Sequence, residues 1–363
     1  MQVTIVGLPA SGKTTVFNAL TGLTLETGAF SGGRAAPNVG VVKVPDGRVD
    51  RLAELFHPRK TTHADVTYVD VGIPAGAARD GTIAPDVLAQ IRDADALLHV
   101  ARAFEGGAAR PADPQRDVEE LDLEFTVADL TVVEKRLEKL RTSGRHGSPT
   151  EREANALEES LLARIEPHLS DGRPLRSLTL DDDDEKRLRG YRFLTQKPVL
   201  VVLNLDESRL GEAPALEADW HARHDQPQTD VAALAGKLEA EIAQLSPDDA
   251  RMFMDDLGIG EASRGRVIRL TYDLLGLYSF FTAGEDECRA WTLRRGATAV
   301  DAAGAIHSDL ARGFIRAEVV TYDDLISCGS IAEARRHGLQ RAEGRTYEVR
   351  DGDVIQVLFN VAR

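Results

Sequence analysis

The sequence predicts an α/β protein with three parts: a mostly parallel sheet flanked by helices, an inserted α-helical hairpin, and a small C-terminal β-grasp domain. Three observations carry this. Short apolar, strand-like runs alternate with helical patterns on both sides of the middle of the chain. Residues 116–196 show helical periodicity and no strand-like run. Residues 278–363 return to strand-like runs around one short helix. The divisions expected are therefore 1–115 with 197–277, then 116–196, then 278–363.

The elements follow in order. Gln2–Val6 is a short β-rich run, and Thr15–Leu20 reads as the start of a helix. Asp65–Val71, Ala96–Ala101 and Pro198–Leu203 are further apolar strands, separated by helical patterns such as Val49–Phe56 and Pro85–Arg92. Asp117–Arg141 carries Leu121, Leu123, Val127, Leu130, Val133, Leu137 and Leu140 near helical period. Thr142–Pro149 is a turn-rich break, and Glu151–Leu169 is helical again, with an interruption expected at Pro167. Two such helices form a hairpin. The acidic run Asp181–Glu185 reads as a solvated helix N-terminus, where carboxylates favour the helix dipole. Ser279–Thr282, Ala290–Leu293, Phe314–Thr321 and Val354–Asn360 are strand-like, around a helix at Ala299–His307.

Composition narrows the function classes. Of 363 residues, 44 are Lys or Arg and 59 are Asp or Glu, a formal net charge of −15. That excludes a protein held to nucleic acid by bulk positive charge, and no duplex DNA partner is expected. The C-terminal part, 278–363, holds only −2 of this. Cys288 and Cys328 make no disulfide framework, and no CxxC or HExxH occurs. His221 and His224 have no partner ligands in sequence and read as surface residues. No apolar run approaches the ~20 residues of a membrane span, and no signal-peptide pattern opens the chain. The expectation is a cytoplasmic protein without a membrane partner.

The chemistry is concentrated in Gly7-Leu8-Pro9-Ala10-Ser11-Gly12-Lys13-Thr14, a full G-x-x-x-x-G-K-[ST] between a strand and a helix. Its glycines let backbone N–H groups turn around a phosphate, and the helix N-terminus adds partial positive charge. Lys13 reaches the β- and γ-phosphates, and the Thr14 hydroxyl ligates Mg²⁺. Gly7 to Thr14, with Thr15, are the expected phosphate-binding residues, for ATP or GTP. Asp70, at a strand end, is the second candidate for Mg²⁺; a turn or cap role is its other reading. Asn204, Leu205 and Glu207 stand where a GTPase carries Asn-Lys-x-Asp, the base-reading motif; a plain turn is the alternative. No catalytic residue is assigned.

A family resemblance covers nearly the whole chain. Gly7–Leu20, Pro37–Pro45, Arg51–Leu55, Ala128-Asp129-Leu130 and Val133-Glu134 carry it first. Phe281–Gly284, Arg289–Thr292, Gly296–Thr298, Gly313–Glu318 and Asp351–Val354 carry it at the end. The sequence resembles the YchF subfamily of Obg-like P-loop NTPases. The resemblance implies a Ras-like G domain, an inserted helical hairpin and a ubiquitin-like TGS domain. It also implies ATP often preferred over GTP, and association with the ribosome. Three features depart from the family pattern. Arg34 stands where the first switch carries a Thr, and a guanidinium cannot ligate a cation. The second switch, Asp70-Val71-Gly72-Ile73, is one residue short of Asp-x-x-Gly. The loop after His99–Glu105 lacks the family's catalytic His. The expectation from the resemblance is a nucleotide-binding, ribosome-associated regulator of translation or stress with slow hydrolysis; a binding scaffold without efficient hydrolysis is the alternative. A P-loop kinase is a third reading, weakened by the lack of an Arg-rich lid.

Overall fold

The computed structural model describes residues 1–25, 37–71, 83–106, 110–143, 148–224, 226–257 and 262–360. Arg34, Gly72, Ile73 and residues 107–109, on which the switch and loop departures fall, lie outside these. The chain divides into two compact units, 1–40 with 67–264 and 41–66 with 265–363.

The strands are β1 (Gln2–Val6), β2 (Asn38–Lys43), β3 (Lys60–Thr62), β4 (Asp65–Asp70), β5 (Ala96–Ala103) and β6 (Val199–Leu205). They continue as β7 (Thr229–Leu234), β8 (Leu277–Thr282), β9 (Glu287–Arg294), β10 (Phe314–Thr321), β11 (Arg341–Glu343) and β12 (Asp353–Phe359). The first sheet runs β2-β4-β1-β5-β6-β7, with β4, β1, β5, β6 and β7 parallel. β5 and β6 are buried along their whole length, as a central parallel strand covered on both faces must be. One face of the sheet buries Leu97, Ala101, Leu203, Val231 and Phe125 in a common core.

The two long helices, Pro114–Ser143 and Pro149–Ser170, pack through Val133, Leu137, Leu162, Ile165 and Leu169. The second starts on a capping box: Ser148 Oγ accepts from Glu151 N, and the Glu151 carboxylate accepts from Ser148 N. The expected interruption at Pro167 does not occur; the helix continues to Ser170. Pro167 lies in the last turn, and the buried Ile165 and Leu169 on either side of it hold the helix through the proline to its end. Asp181 caps the acidic helix Asp182–Leu188, its carboxylate accepting from Asp183 N at 3.0 Å and Asp184 N at 2.8 Å.

The second unit is built on a sheet ordered β11-β10-β12-β8-β9-β3. The helix Ala299–Ile306 packs against Tyr278, Phe280, Leu293, Val319 and Ile355, giving the β-grasp. β3 pairs in parallel with β9, Lys60 opposite Glu287 and Thr62 opposite Arg289. The helix Gly47–Phe56 belongs to this unit, and its Arg48 binds Asp46 and Asp351 at 2.9–3.0 Å and lies over the Phe281 ring. Burial works against the Arg48 charge, but the hydrogen bonds and charges of these two carboxylates outweigh it and push the already basic guanidinium further up.

Candidate functional site: the phosphate loop and its cavity

The site is assembled at the carboxyl ends of parallel strands, within residues 1–40 and 67–264. β1 ends at Val6 and the chain turns at once. Gly7 has φ 153°, and a Cβ there would meet Val100 O at 2.4 Å. Gly12 has φ 90°, and a Cβ would meet Asn204 Nδ2 at 2.2 Å. Neither position has room for a side chain, which is why the loop needs glycine there. Ala10, at φ 65°, is the loop's non-glycine residue in the left-handed region. The helix Lys13–Thr21 begins directly after Gly12, so its first N–H groups open into the loop.

Lys13 Nζ donates to the carbonyls of Gly7 and Leu8, each at 3.0 Å. Burial pushes its ammonium down to about 8, partly offset by the nearby Asp70 carboxylate. Thr14 Oγ1 donates to Asp70 Oδ2 at 3.0 Å. Asp70 closes β4, opposite Ile5 of β1, which sets its carboxylate beside the loop. Burial pushes the Asp70 carboxyl upward; bonding from Thr14 and Asn38 and the charge of Lys13 oppose this. Its Oδ1 is buried and has no hydrogen-bond donor. Two hard oxygen groups, one with an unused buried lone pair, are a donor set that suits Mg²⁺. Thr14 and Asp70 thus come together as the sequence reading expected.

Asn204, at the end of β6, is buried and engaged within the protein. Its Nδ2 donates to Ser11 O, and Gly236 N donates to its Oδ1, both at 3.0 Å. That leaves the amide one N–H and one lone pair for any ligand. Leu205 follows it and is buried, whereas Glu207 opens the 3-10 turn Glu207–Glu212 and is exposed. A cavity of about 760 Å³ runs from Gly12 and Thr15 to Asn204, Leu205 and Glu207. Phe104, Lys237 and Glu241 complete its wall. Asn18 holds its rim: Nδ2 donates to Leu25 O at 2.8 Å, and Leu25 N donates to Oδ1 at 3.1 Å.

With this geometry in view, similarity to known proteins decides the family. The "Ribosome-binding ATPase YchF" of Bacillus subtilis is 38% identical over 365 residues, covering 98% of each chain. The protein of the same name from Haemophilus ducreyi is 40% identical over 362 residues, again covering 98% of each. The chain belongs to the YchF family. Two family models agree with this YchF assignment. A model described as "50S ribosome-binding GTPase" matches residues 2–136, and that of the YchF GTPase C-terminal region matches 277–360. The solved structure of the YchF GTPase of Schizosaccharomyces pombe is 27% identical, with a TM-score of 0.86. It covers 99% of this chain, and this chain covers 97% of it. The P-loop G domain and the C-terminal TGS domain are thus those of a YchF protein.

Sequence reading gave no binding role to Phe104, Lys237 and Glu241, which line the cavity of this YchF chain. Lys237 comes shortly after β7, at a parallel-strand carboxyl end, and that position was the available signal. Phe104 follows β5 in the same way. His99, inside β5, is buried with an unpartnered Nε2, and burial pushes it down to about 4, so it is neutral near pH 7. His221 lies 3.4 Å from Asp230 and His224 stacks on Trp220, as surface histidines do. Among the described residues no group of three or more His, Cys, Asp or Glu could hold a metal, and no helix is long and apolar enough to cross a membrane.

Proposed function

We propose that this YchF protein binds a purine nucleoside triphosphate with Mg²⁺ and hydrolyses it slowly. One arrangement carries the reading: beside the phosphate loop, with its Lys13 and its Thr14–Asp70 pair, Gly12 and Thr15 begin a cavity that ends at Asn204, Leu205 and Glu207. In this reading the loop N–H groups and Lys13 hold the β- and γ-phosphates, and the cavity takes the nucleoside. Thr14 and Asp70 hold the Mg²⁺. Bound there, the ion neutralises phosphate charge. Leu205 covers the base where a GTPase uses a lysine stem. Glu207 carries its carboxylate one methylene farther than the usual aspartate, which weakens the paired contact to guanine and lets adenine in. The division at 115/116, 196/197 and 277/278 is part of the proposal, with 116–196 as an insertion in the nucleotide-binding domain.

Slow hydrolysis rests on Arg34, the shortened Asp70-Val71-Gly72 and the loop without histidine. Fewer ligands to the ion and the γ-phosphate leave less free energy to order the switch segments. The same three features favour the second reading, a nucleotide-binding scaffold without turnover. The relatives' shared name supports ATP as the nucleotide, the ribosome as the partner and the cytoplasm as the location. Binding of fluorescent ATP and GTP analogues, and phosphate release with Mg²⁺, test these points with Lys13→Ala as the blank. Turnover reaching ~1 s⁻¹ would remove slow hydrolysis. GTP bound about tenfold tighter than ATP would remove the adenine tolerance.

A further inference from the structure

One wall of the cavity, Leu23, Thr24 and Leu25, has no regular secondary structure of its own. It begins where the helix Lys13–Thr21 stops. Gly22 ends that helix at φ 73°, with its N–H on Asn18 O at 2.8 Å. The residues that follow return to the helix they have left, and side chains hold them there. Asn18 takes both backbone groups of Leu25: Nδ2 donates to Leu25 O at 2.8 Å, and Leu25 N donates to Oδ1 at 3.1 Å. At the other end of the segment Gln244 Nε2 donates to Gly22 O at 3.0 Å. Packing adds little, since Leu23 is 42% exposed and Thr24 is exposed, whereas Asn18 is buried. Without these bonds a ligand would have to order the segment as it bound. Phosphates belong at the start of the helix, where its N–H groups are open. Asn18 lies three residues beyond Thr15, about 4.5 Å along the axis.

We propose that Asn18 is a positioning residue for the nucleoside part of the ligand, holding Leu23–Leu25 as a preformed wall of the cavity. An amide does this because it offers a donor and an acceptor at once to one residue's C=O and N–H. Aspartate keeps the acceptor and loses the donor; alanine offers neither. The role acts through the wall, so it separates from the phosphate contacts of the loop and Lys13. It rests on the nucleotide-binding reading above.

The test is calorimetric titration of the full chain with Mg²⁺-ATP and, as a ligand without a nucleoside, Mg²⁺-tripolyphosphate. Asn18→Ala is expected to weaken ATP about tenfold, because the wall must then be ordered on binding. Its affinity for tripolyphosphate should stay within about twofold, since the loop N–H groups and Lys13 are untouched. Asn18→Asp should fall between wild type and Asn18→Ala for ATP. Gln244→Ala removes the bond at the exposed end of the same segment and should weaken ATP less, in the same direction. It serves if circular dichroism shows the Asn18 variants misfolded. Unchanged ATP affinity in the folded variants overturns the proposal, and so does an equal loss for both ligands. Wild-type protein that binds neither ligand overturns the parent reading together with it.

Discussion

Lys13 is held by its own loop. In the free protein its ammonium donates to Gly7 O and Leu8 O, and a phosphate must replace those carbonyls. Desolvation has pushed the free Lys13 down to about 8, and a bound phosphate raises it again by charge attraction. The complex therefore holds the proton more tightly than the free protein. Nucleotide affinity should fall as pH rises from about 7 to 9, with proton uptake on binding near the upper end. Calorimetry in buffers of different ionisation enthalpy reads this directly, and Lys13→Ala should erase the pH dependence while lowering affinity about tenfold or more. Asn204 presents a different case. Asn204→Ala leaves Ser11 O and Gly236 N unpaired in a buried place, at a cost of about 1–3 kcal/mol, measurable as a lower urea midpoint at unchanged slope. The phosphate loop was legible because its spacing in sequence is its motif. The bracing role of Asn204 was not, because the hydrogen-bond partner Ser11 lies 193 positions away.

Among the elements, the first long helix is tied to the rest of its unit not only by its apolar face but also by a fully buried carboxylate. Asp129 accepts from Thr195 N at 2.8 Å and Thr195 Oγ1 at 2.9 Å, and pairs with Arg92 at 2.9 Å. It is fully buried, so Asp129→Ala removes the counter-charge of Arg92 and leaves the two Thr195 donors without their acceptor, and should destabilise the chain by about 1–3 kcal/mol in denaturant unfolding. A second carboxylate works alike: Glu239, buried, accepts from Ser263 N at 2.7 Å and so caps the helix Ser263–Leu274. The existence of the long helices was legible from period alone. Their inward faces were less so. Leu123 and Val127 fit the apolar series yet are 57% and 51% exposed, while Leu121 and Phe125 face the core. An apolar series read at a loose period crosses from one side of a straight helix to the other. β3 escaped sequence reading for a simpler reason: three residues, Lys60-Thr61-Thr62, carry no alternation to detect, and only their partner β9 makes them a strand.

At the scale of the whole molecule, the excess negative charge sets how any ribonucleoprotein partner can be met. In the sequence Arg335, Arg336, His337, Arg341 and Arg345 fall within one short stretch, which reads either as a patch that contacts phosphates or as charges that offset nearby carboxylates. Arg335 pairs with Glu318, Arg336 with Glu333, and Arg341 with Glu343. These pairs are mostly exposed, so each contributes little to stability, but each arginine already has a counter-charge. Charge reversal at the three positions should therefore change low-salt co-sedimentation with ribosomes by less than about threefold, whereas added salt should weaken it strongly. A large loss on reversal would restore the patch as a contact. The parallel sheet was legible from alternating strands and helices, but the interleaving of the two units was not, since it depends on pairings across more than half the chain. That interleaving dictates an order of events during synthesis. Residues 41–66 emerge early, yet β9, which pairs with β3, and Asp351, which holds Arg48, are made only near the end. Until then β3 and the apolar side of the helix Gly47–Phe56 wait without partners, a long-range closure of the kind that slows folding and invites association. A chain cut after Arg264 freezes that waiting state. It should sediment as aggregates, and adding residues 265–363 as a separate polypeptide during refolding should return part of it to solution. For a protein whose relatives are named for the ribosome, the machine that makes the chain also governs how long its first strands stay exposed.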